Sequence, residues 1–296
     1  MRKSKSATLI SKQYRRKGFL IEVWLRLRTN RGAVFGLAVL ALFILIMVYT
    51  FIFMTPADVS KIDSKSRYLP PSSAHPFGTD DMGRDLFVRV LYGTRYSLAI
   101  AFGAVGIGAV IGTFFGSIAG YYGGWTDQII MRITDVLHSL PGILLGMVIV
   151  TILGAGLQTL MIAIGFTVIS GFVRMARASV LSVKTSEFVE SARAIGMSEF
   201  RIVFSQVLPN SISPLIVTFT ARMATSVLAA AGLSFLGFGV PVPLPEWGAL
   251  ISAGRNYLTT APHLTLFPGI FIMLMAFSCA LLGDGLRDAL DPKLNK

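Results

Sequence analysis

Long apolar runs alternate with shorter polar stretches along this chain of 296 residues. The first run, residues 33–53, would form a helix about 31 Å long, close to the roughly 30 Å hydrocarbon core of a bilayer. Further runs of this kind cover residues 98–119, 142–157, 160–173, 213–236 and 264–282. The pattern therefore predicts an all-α membrane protein with six transmembrane helices.

The third and fourth runs have the least distinct boundaries. Residues 142–157 are short for a membrane span unless their helix starts earlier, near Ile133. The fourth run ends before Arg174 and Arg177. The predicted organisation is a basic N-terminal segment (1–32), the first span (33–53), a long loop (54–95), a core with the other five spans (96–285) and a tail (286–296). Within the core, a polar stretch of residues 185–209, called the insert below, separates the fourth and fifth spans.

Two further polar stretches, residues 80–95 and 239–262, have features of segments that lie at a membrane surface. At residues 80–95 charges alternate with leucine and valine, a pattern typical of an interfacial helix leading into the second span. Residues 239–262 contain Trp247, and tryptophan is enriched where a membrane meets water. We therefore expect both stretches to lie at the membrane surface.

Composition and charge distribution give an orientation. Only 14% of the residues are charged, against about 25% in soluble domains, and the net charge of +12 is concentrated before the first span. Basic residues beside a span remain cytoplasmic and bind anionic lipid, so this cluster indicates membrane anchoring rather than nucleic-acid binding. With six spans, both termini and the insert are predicted to be cytoplasmic, and residues 54–95 extracytoplasmic.

The insert is predicted to form a helix, a turn at a glycine, and a second helix. Ser186 is expected to cap a first helix, and Gly196 to end it as a C′ residue. Ser198 is expected to start a second helix that Pro209 prevents from continuing. The first helix is too short to be stable alone in water, so it needs a partner surface in this chain or in another.

One face of the first helix in the insert is predicted to be apolar. Phe188, Ala192 and Ile195 follow one another at spacings of four and three. Glu190 and Arg193 offer polar anchors to a partner. Two interpretations remain open, a docking element for another protein and an amphipathic connector that rests on its own membrane domain.

Four glycines, Gly108, Gly112, Gly116 and Gly120, lie four residues apart in the second span and share one helix face. Small residues allow membrane helices to approach closely. This face fits packing within the chain, a contact with a second subunit, or simple tolerance of glycine in a membrane helix.

Few residues are candidates for catalysis or for binding a ligand. The sequence contains no P-loop motif, and its three histidines are scattered. The single cysteine, Cys279, is expected to be a small buried hydrophobe. Among ionisable residues in or near the spans, Asp135 and His138 fit loop or cap positions. Arg222 lies within the fifth span and is either a pathway-lining or gating residue or a structural interhelix partner.

Several motifs resemble those of one transporter family. Residues 190–209 resemble the loop E-A-A-x3-G-x9-I-x-L-P of ABC importer permeases, with Ser191 in place of the first alanine and Gln206 in place of the isoleucine. Residues 75–85, 245–248 and 283–288 are similar to signatures of the dipeptide/oligopeptide/nickel branch. The resemblance extends over nearly the whole chain and points to the second of the two permease types in that branch.

The resemblance implies a type I importer permease fold with a cytoplasmic coupling helix, in a bacterial plasma membrane. It implies four kinds of partner: a homologous second permease, two ABC ATPases that bind ATP and Mg, an extracytoplasmic substrate-binding protein, and membrane lipid. This chain would then be a non-catalytic subunit without a cofactor. The expected cargo is a di- or oligopeptide, with nickel, a metal chelate or another small solute as alternatives. A stand-alone channel or secondary transporter is the competing class.

Two sets of residues follow from the resemblance as candidate sites. ATPase docking is expected at Glu190, Ser191, Ala192, Arg193, Gly196 and Pro209. An outer gate or binding-protein contact is expected at Asp80, Asp81, Arg84 and Asp85, whose alternative role is to stabilise the entry into the second span.

Overall fold

A computed structural model describes residues 19–241 and 243–290. The basic residues before position 19 and the last six residues of the predicted tail lie outside these ranges. The described helices are α1 (Phe19–Leu27), α2 (Arg31–Phe53), α3 (Pro56–Ser60), α4 (Leu86–Tyr122), α5 (Gly124–Ser139), α6 (Gly142–Leu153), α7 (Leu157–Val183), α8 (Glu187–Ala194), α9 (Glu199–Ile202), α10 (Leu208–Asn210), α11 (Ser213–Phe235), α12 (Trp247–Gly254) and α13 (His263–Leu290). A π-helical turn, Val203–Val207, joins α9 to α10, and a 3-10 turn, Arg255–Tyr257, follows α12.

Five of these helices, α2, α4, α7, α11 and α13, are long and apolar enough to cross a membrane. A sixth span arises only if α5 and α6, which are bent by 90°, are counted together. The third span starts at Gly142 as predicted but ends at Leu153 instead of residue 157, and it does not continue as one straight helix from Ile133. Leu140 precedes Pro141 and is extended (φ −86°, ψ 133°), because a residue before proline disfavours the helical region.

Two spans are longer than expected. The helix α4 begins at Leu86 rather than at residue 98, because Asp85 caps it by accepting from the Val88 amide at 3.1 Å. The stretch predicted as an interfacial helix leading into the second span is, from Leu86 onward, the first part of the same helix. Similarly, α7 continues past residue 173, because Arg177 and Arg174 pair with acids on α5 instead of ending the helix.

The glycine face of α4 lies against α7 of the same chain. A Cβ atom added to Gly112 would stand 2.5 Å from the Cβ of Phe172, and one added to Gly120 would stand 2.8 Å from the Arg177 carbonyl oxygen. Neighbouring α7 atoms crowd Gly108 and Gly116 in the same way. This face is filled within the chain, so no second subunit reaches it.

Trp247 lies in the centre of the main core, contrary to the expected interfacial position. Its side chain is fully buried, packs against Phe43 and Phe271, and donates from Nε1 to the Val90 carbonyl at 3.0 Å. The neighbouring Glu246 caps α12 through the amides of Gly248 and Ala249. The motif at residues 245–248 therefore has an internal role, joining α12 to α4. Cys279 is buried, as expected.

Candidate functional site

The first helix of the insert, α8, starts at the expected position. Ser186 has the extended backbone of an N-cap (φ −75°, ψ 147°), but its hydroxyl donates to the Val183 carbonyl at 2.6 Å instead of accepting from α8. Glu187 and Glu190 lie in the first turn, where the helix dipole favours negative charge. The N-cap position is thus confirmed, whereas the expected side-chain cap is wrong.

Gly196 ends α8 in a Schellman motif. Its φ is +82°, the amide of Gly196 donates to the Arg193 carbonyl at 3.0 Å, and the amide of Met197 donates to the Ala192 carbonyl at 3.1 Å. Glycine adopts this left-handed conformation without steric cost, which explains its place in the motif. The prediction that Gly196 ends the helix as its C′ residue is confirmed.

The second helical stretch extends past Pro209, contrary to expectation. It begins after Ser198 as α9, widens at Val203–Val207, where the Leu208 amide donates to the Val203 carbonyl, and ends with Asn210. Proline in a regular α-helix would clash with the carbonyl four residues earlier. The π-helical turn changes that geometry immediately before the proline, so helical backbone continues through Pro209 to Asn210.

The buried face of the insert differs from the predicted stripe. Val189 and Ala192 of α8 pack with Ile202, Val203 and Val207, and with residues at the ends of α4 and α7. Phe188 and Ile195 are instead 40% and 79% exposed. The predicted stripe therefore shares only Ala192 with the buried face, on which Val189 takes the place of Phe188.

A polar contact, called the latch below, joins the two halves of the insert to α4. Arg193 Nε donates to Glu199 Oε1 at 3.0 Å, and its Nη2 donates to the Tyr121 hydroxyl at 3.1 Å. The Tyr121 hydroxyl donates in turn to Glu199 Oε2. The guanidinium of Arg193, followed by the Tyr121 hydroxyl, holds the pKa of Glu199 below its usual value.

The predicted docking residues therefore have different surroundings. Glu190, Ser191, Gly196 and Pro209 are exposed, whereas Ala192 is buried against the membrane domain and Arg193 is occupied by the latch. Glu199 was missed, because its partners lie six residues away and at the end of another helix. Phe200, 58% exposed, was also missed. The exposed apolar side chains Phe188, Ile195 and Phe200 are called the free face below.

The acids proposed for an outer gate are built into the fold. Asp80 and Arg84 are buried, with Asp80 Oδ2 at 2.7 Å from Arg84 Nε and at 3.5 Å from Arg89 Nε. Asp80 Oδ1 also accepts from the amides of Met82 and Arg84 at 2.9 Å. These contacts fold residues 80–84 onto the start of α4, which corresponds to the alternative role rather than to an exposed gate.

The two other residues of that set are more accessible. Asp85 caps α4 and lies 2.8 Å from His75 Nδ1, while Asp81 receives a long contact of 3.4 Å from Arg84 Nη2. The side chain of Asp81 is 35% exposed. Only Asp81 retains substantial freedom to contact another protein.

The ionisable residues near the spans separate into paired and free groups. Asp135 pairs with Arg174 at 2.9 Å, and His138 Nδ1 lies 3.3 Å from the Ser170 hydroxyl. Arg222 lines a cleft of about 390 Å³ formed by the α5–α6 bend, α7 and α11. Within residues 19–241 and 243–290, no three His, Cys, Asp or Glu side chains are grouped so that they could hold a metal ion.

Comparison with known proteins gives consistent results. The family model for the inner membrane component of binding-protein-dependent transport systems matches residues 112–296. A model for the N-terminal TM domain of oligopeptide transport permease C matches residues 18–71.

Two relatives are similar over most of their length. The dipeptide transport system permease protein DppC of Alkalihalophilus pseudofirmus is 44% identical over 273 residues, covering 92% of this chain and 90% of that protein. The glutathione transport system permease protein GsiD of Pectobacterium atrosepticum is 44% identical over 275 residues, covering 92% and 91%.

A solved chain of the MetNI methionine ABC transporter, in an inward-facing conformation, has a TM-score of 0.57 at 20% identity. It matches 70% of this chain and 98% of its own length, which supports the type I permease fold alone. The family models and the 44% identity with the two relatives show the family as well as the fold. The chain belongs to the family of inner membrane components of binding-protein-dependent transport systems, the membrane-spanning permeases of ABC importers.

Proposed function

We propose that this chain forms half of the translocation path for di- and oligopeptides and that its insert is the docking element for a partner ATPase. One observation carries the docking role: α8 is attached to the membrane domain by its buried face while Phe188, Ile195 and Phe200 remain exposed. Exposed apolar side chains beside polar ones are typical of protein interfaces. The relatives named for dipeptide and glutathione transport support a peptide cargo.

Transmission of force follows from the way the insert is held. The latch joins α8 and α9 to the end of α4, and the shared apolar core joins them to α7. A displacement of the insert is therefore passed directly to the membrane helices. On this proposal, ATP and Mg are bound and hydrolysed only by the partner subunits, and this chain converts their closure into a change of access to the path.

The orientation and partners complete the proposal. The basic N-terminal segment favours a cytoplasmic insert and cytoplasmic termini in a bacterial plasma membrane. The substrate-binding protein then approaches the opposite side, at the end of α4 that carries residues 54–85. A homologous second permease supplies the other half of the path, as the family resemblance implies.

The test uses the complete complex in proteoliposomes, with binding protein, labelled dipeptide and ATP. Uptake should require ATP and all partners, whereas uptake by this chain alone would favour a channel or secondary transporter. Replacing Ile195 by glutamate should reduce both ATPase association and uptake at least tenfold, because a charge would be buried at the contact. Ile62→Glu, at an isoleucine 59% exposed in the first loop, is the matched control and should leave ATPase association unchanged. Equal association of both variants would refute docking through the free face.

A further inference from the structure

We propose that Arg222 binds the terminal carboxylate of the transported peptide, in the cleft beside the α5–α6 bend. This inference rests on the proposed peptide cargo and names the group that would recognise it. The cleft lies beside the 90° bend between α5 and α6, which directs α6 away from the line of α5 and leaves a space next to α7 and α11. Its volume of about 390 Å³ is within the usual range for small-molecule sites, roughly 300–1,000 Å³.

Arg222 is a cation without a counterion in the part of the chain that the structure describes. It lies inside the membrane-spanning helix α11, and its guanidinium forms no hydrogen bond or ion pair with any described residue. The acid on the neighbouring α5 helix, Asp135, is paired with Arg174. A charged side chain at such a position is costly unless it meets water or an anion, so it marks a path or a ligand site.

The surroundings leave space for the guanidinium. A Cβ atom added to Gly171 would stand only 2.7 Å from Nη2 of Arg222, so a larger residue at position 171 would clash with the guanidinium. Gly171 thus lets the arginine lie flat against α7. A planar guanidinium held in this way presents its remaining N–H groups as a fork, which matches the two oxygen atoms of a carboxylate.

A second observation points to a ligand at the same place. Ser226 lies one helical turn after Arg222, is 1% exposed and also lines the cleft. Its hydroxyl oxygen is buried and has no hydrogen-bond partner in the described structure, although hydroxyls in helices often bond to a preceding carbonyl. The hydroxyl oxygen is closed to solvent in this structure, so a carboxylate bound next to Arg222 would supply the missing acceptor once the Ser226 side chain rotates towards the cleft.

The rest of the cleft suits a peptide of variable sequence. Leu137, Leu145, Ile164, Val168 and Ala229 provide an apolar wall, while Thr225 and Thr167 satisfy their hydroxyls on their own helices. Apolar walls contact many side chains with little discrimination, whereas the terminal carboxylate is common to all unmodified peptides. Recognition of that group alone would select peptides without selecting their sequence.

The experiment compares uptake of a labelled dipeptide with a free carboxylate and of the same dipeptide as its C-terminal amide, by the complete complex in proteoliposomes. The ratio of variant to wild-type uptake is taken for each peptide, so that selection by the binding protein cancels. Arg222→Gln should reduce free-acid uptake about tenfold or more and amide uptake much less. Arg222→Lys should restore part of the free-acid uptake. Arg132→Gln, which removes an exposed arginine outside the cleft, should change neither ratio.

Three outcomes would overturn the inference: equal loss of both peptides in Arg222→Gln, no loss of either, or loss of the second permease from the purified complex. The last outcome would mean that an acidic side chain of the partner permease is the counterion. If the Arg222→Gln chain itself does not fold and cannot be purified, Ser226→Ala gives the same test, with a several-fold loss expected for the free acid only. Failure of the wild-type complex to import either peptide would refute the proposed cargo instead.

Discussion

The first loop, residues 54–85, and the insert lie at opposite ends of α4, and each pairs acids with arginines in a different way. Over 37 residues α4 is about 55 Å long, enough to place the two regions on opposite sides of a membrane. In the first loop the side chains of Asp80 and Arg84 are 9% and 8% exposed, whereas in the insert those of Arg193 and Glu199 are 53% and 44% exposed. Similar residue types therefore serve a fixed surface at one end and a surface open to partners at the other.

The difference is energetic as well as geometric. Two buried charges have lost their hydration, so removing one partner leaves the other uncompensated and strongly destabilises the fold. Exposed ion pairs contribute little to stability, because water replaces the lost partner. We therefore expect changes in the first loop to act on folding, and changes in the insert to act on coupling between ATP hydrolysis and transport.

The largest effect is expected from Asp80→Asn. This change leaves Arg84 and Arg89 without their shared carboxylate, and it should lower the free energy of unfolding by about 3–5 kcal/mol. Thermal unfolding of the purified protein in detergent measures the loss. Asp81→Asn is the matched control, because Asp81 is more exposed and makes one contact of 3.4 Å, and it should cost less than about 1 kcal/mol. Equal effects of the two variants would contradict the buried role of Asp80.

The second prediction concerns the contact between α4 and α7, which connects the two regions. Gly112→Ala places a methyl group 2.5 Å from Phe172, and overpacking of this kind costs about 1–3 kcal/mol. Gly106→Ala in the same helix meets no atom within 4 Å, so it should be neutral or slightly stabilising. Unfolding of both variants in detergent distinguishes them. If Gly112→Ala were as stable as Gly106→Ala, the two helices would not be packed as closely as described.

The sequence could predict those features that depend on neighbouring residues, but not those that depend on contacts between residues far apart in the chain. The presence of the apolar helices and the turn at Gly196 follow from local rules and were predicted, whereas the ends of the second and fourth spans were not. Pro141 is also a local signal for the bend before α6, because the residue before a proline disfavours helical backbone. By contrast, the burial of Asp80 and the partners of Arg193 depend on residues distant in sequence, such as Tyr121, so local spacing could not predict them.

The third prediction separates backbone strain from loss of docking. Gly196→Val forces a β-branched residue to a φ of +82°, which costs about 1–3 kcal/mol locally. Gly237→Val applies a similar strain at φ +91°, since Gly237 ends α11 with the same pair of backbone hydrogen bonds, away from the insert. Both positions are open to added atoms, so strain is the shared effect. Only Gly196→Val should raise the number of ATP molecules hydrolysed per peptide imported. Equal uncoupling by both variants would remove the special role of the insert.

The smallest effect is expected at the latch and depends on pH. Arg193, followed by Tyr121, lowers the pKa of Glu199 in the folded protein, so the contribution of Glu199 is fully present above its unfolded pKa. That contribution is lost as the pH falls through the lower folded-state pKa. The protection factors of the α8 amides, which correct for the slower intrinsic exchange in acid, should therefore fall once the pH drops below the usual pKa of a glutamate, while those of amides in the middle of α4 should not change.

The control for the latch is Glu199→Gln. This variant keeps the shape of the side chain but cannot ionise, so the protection factors in α8 should be lower at neutral pH and should show little further fall in acid. Tyr121→Phe removes one hydroxyl from the latch and should give an intermediate rate at neutral pH. If α8 kept its full protection in Glu199→Gln, the buried contacts of Val189 and Ala192 would hold the helix by themselves. The transmission of force would then be assigned to that apolar core, and the latch would have no part in it.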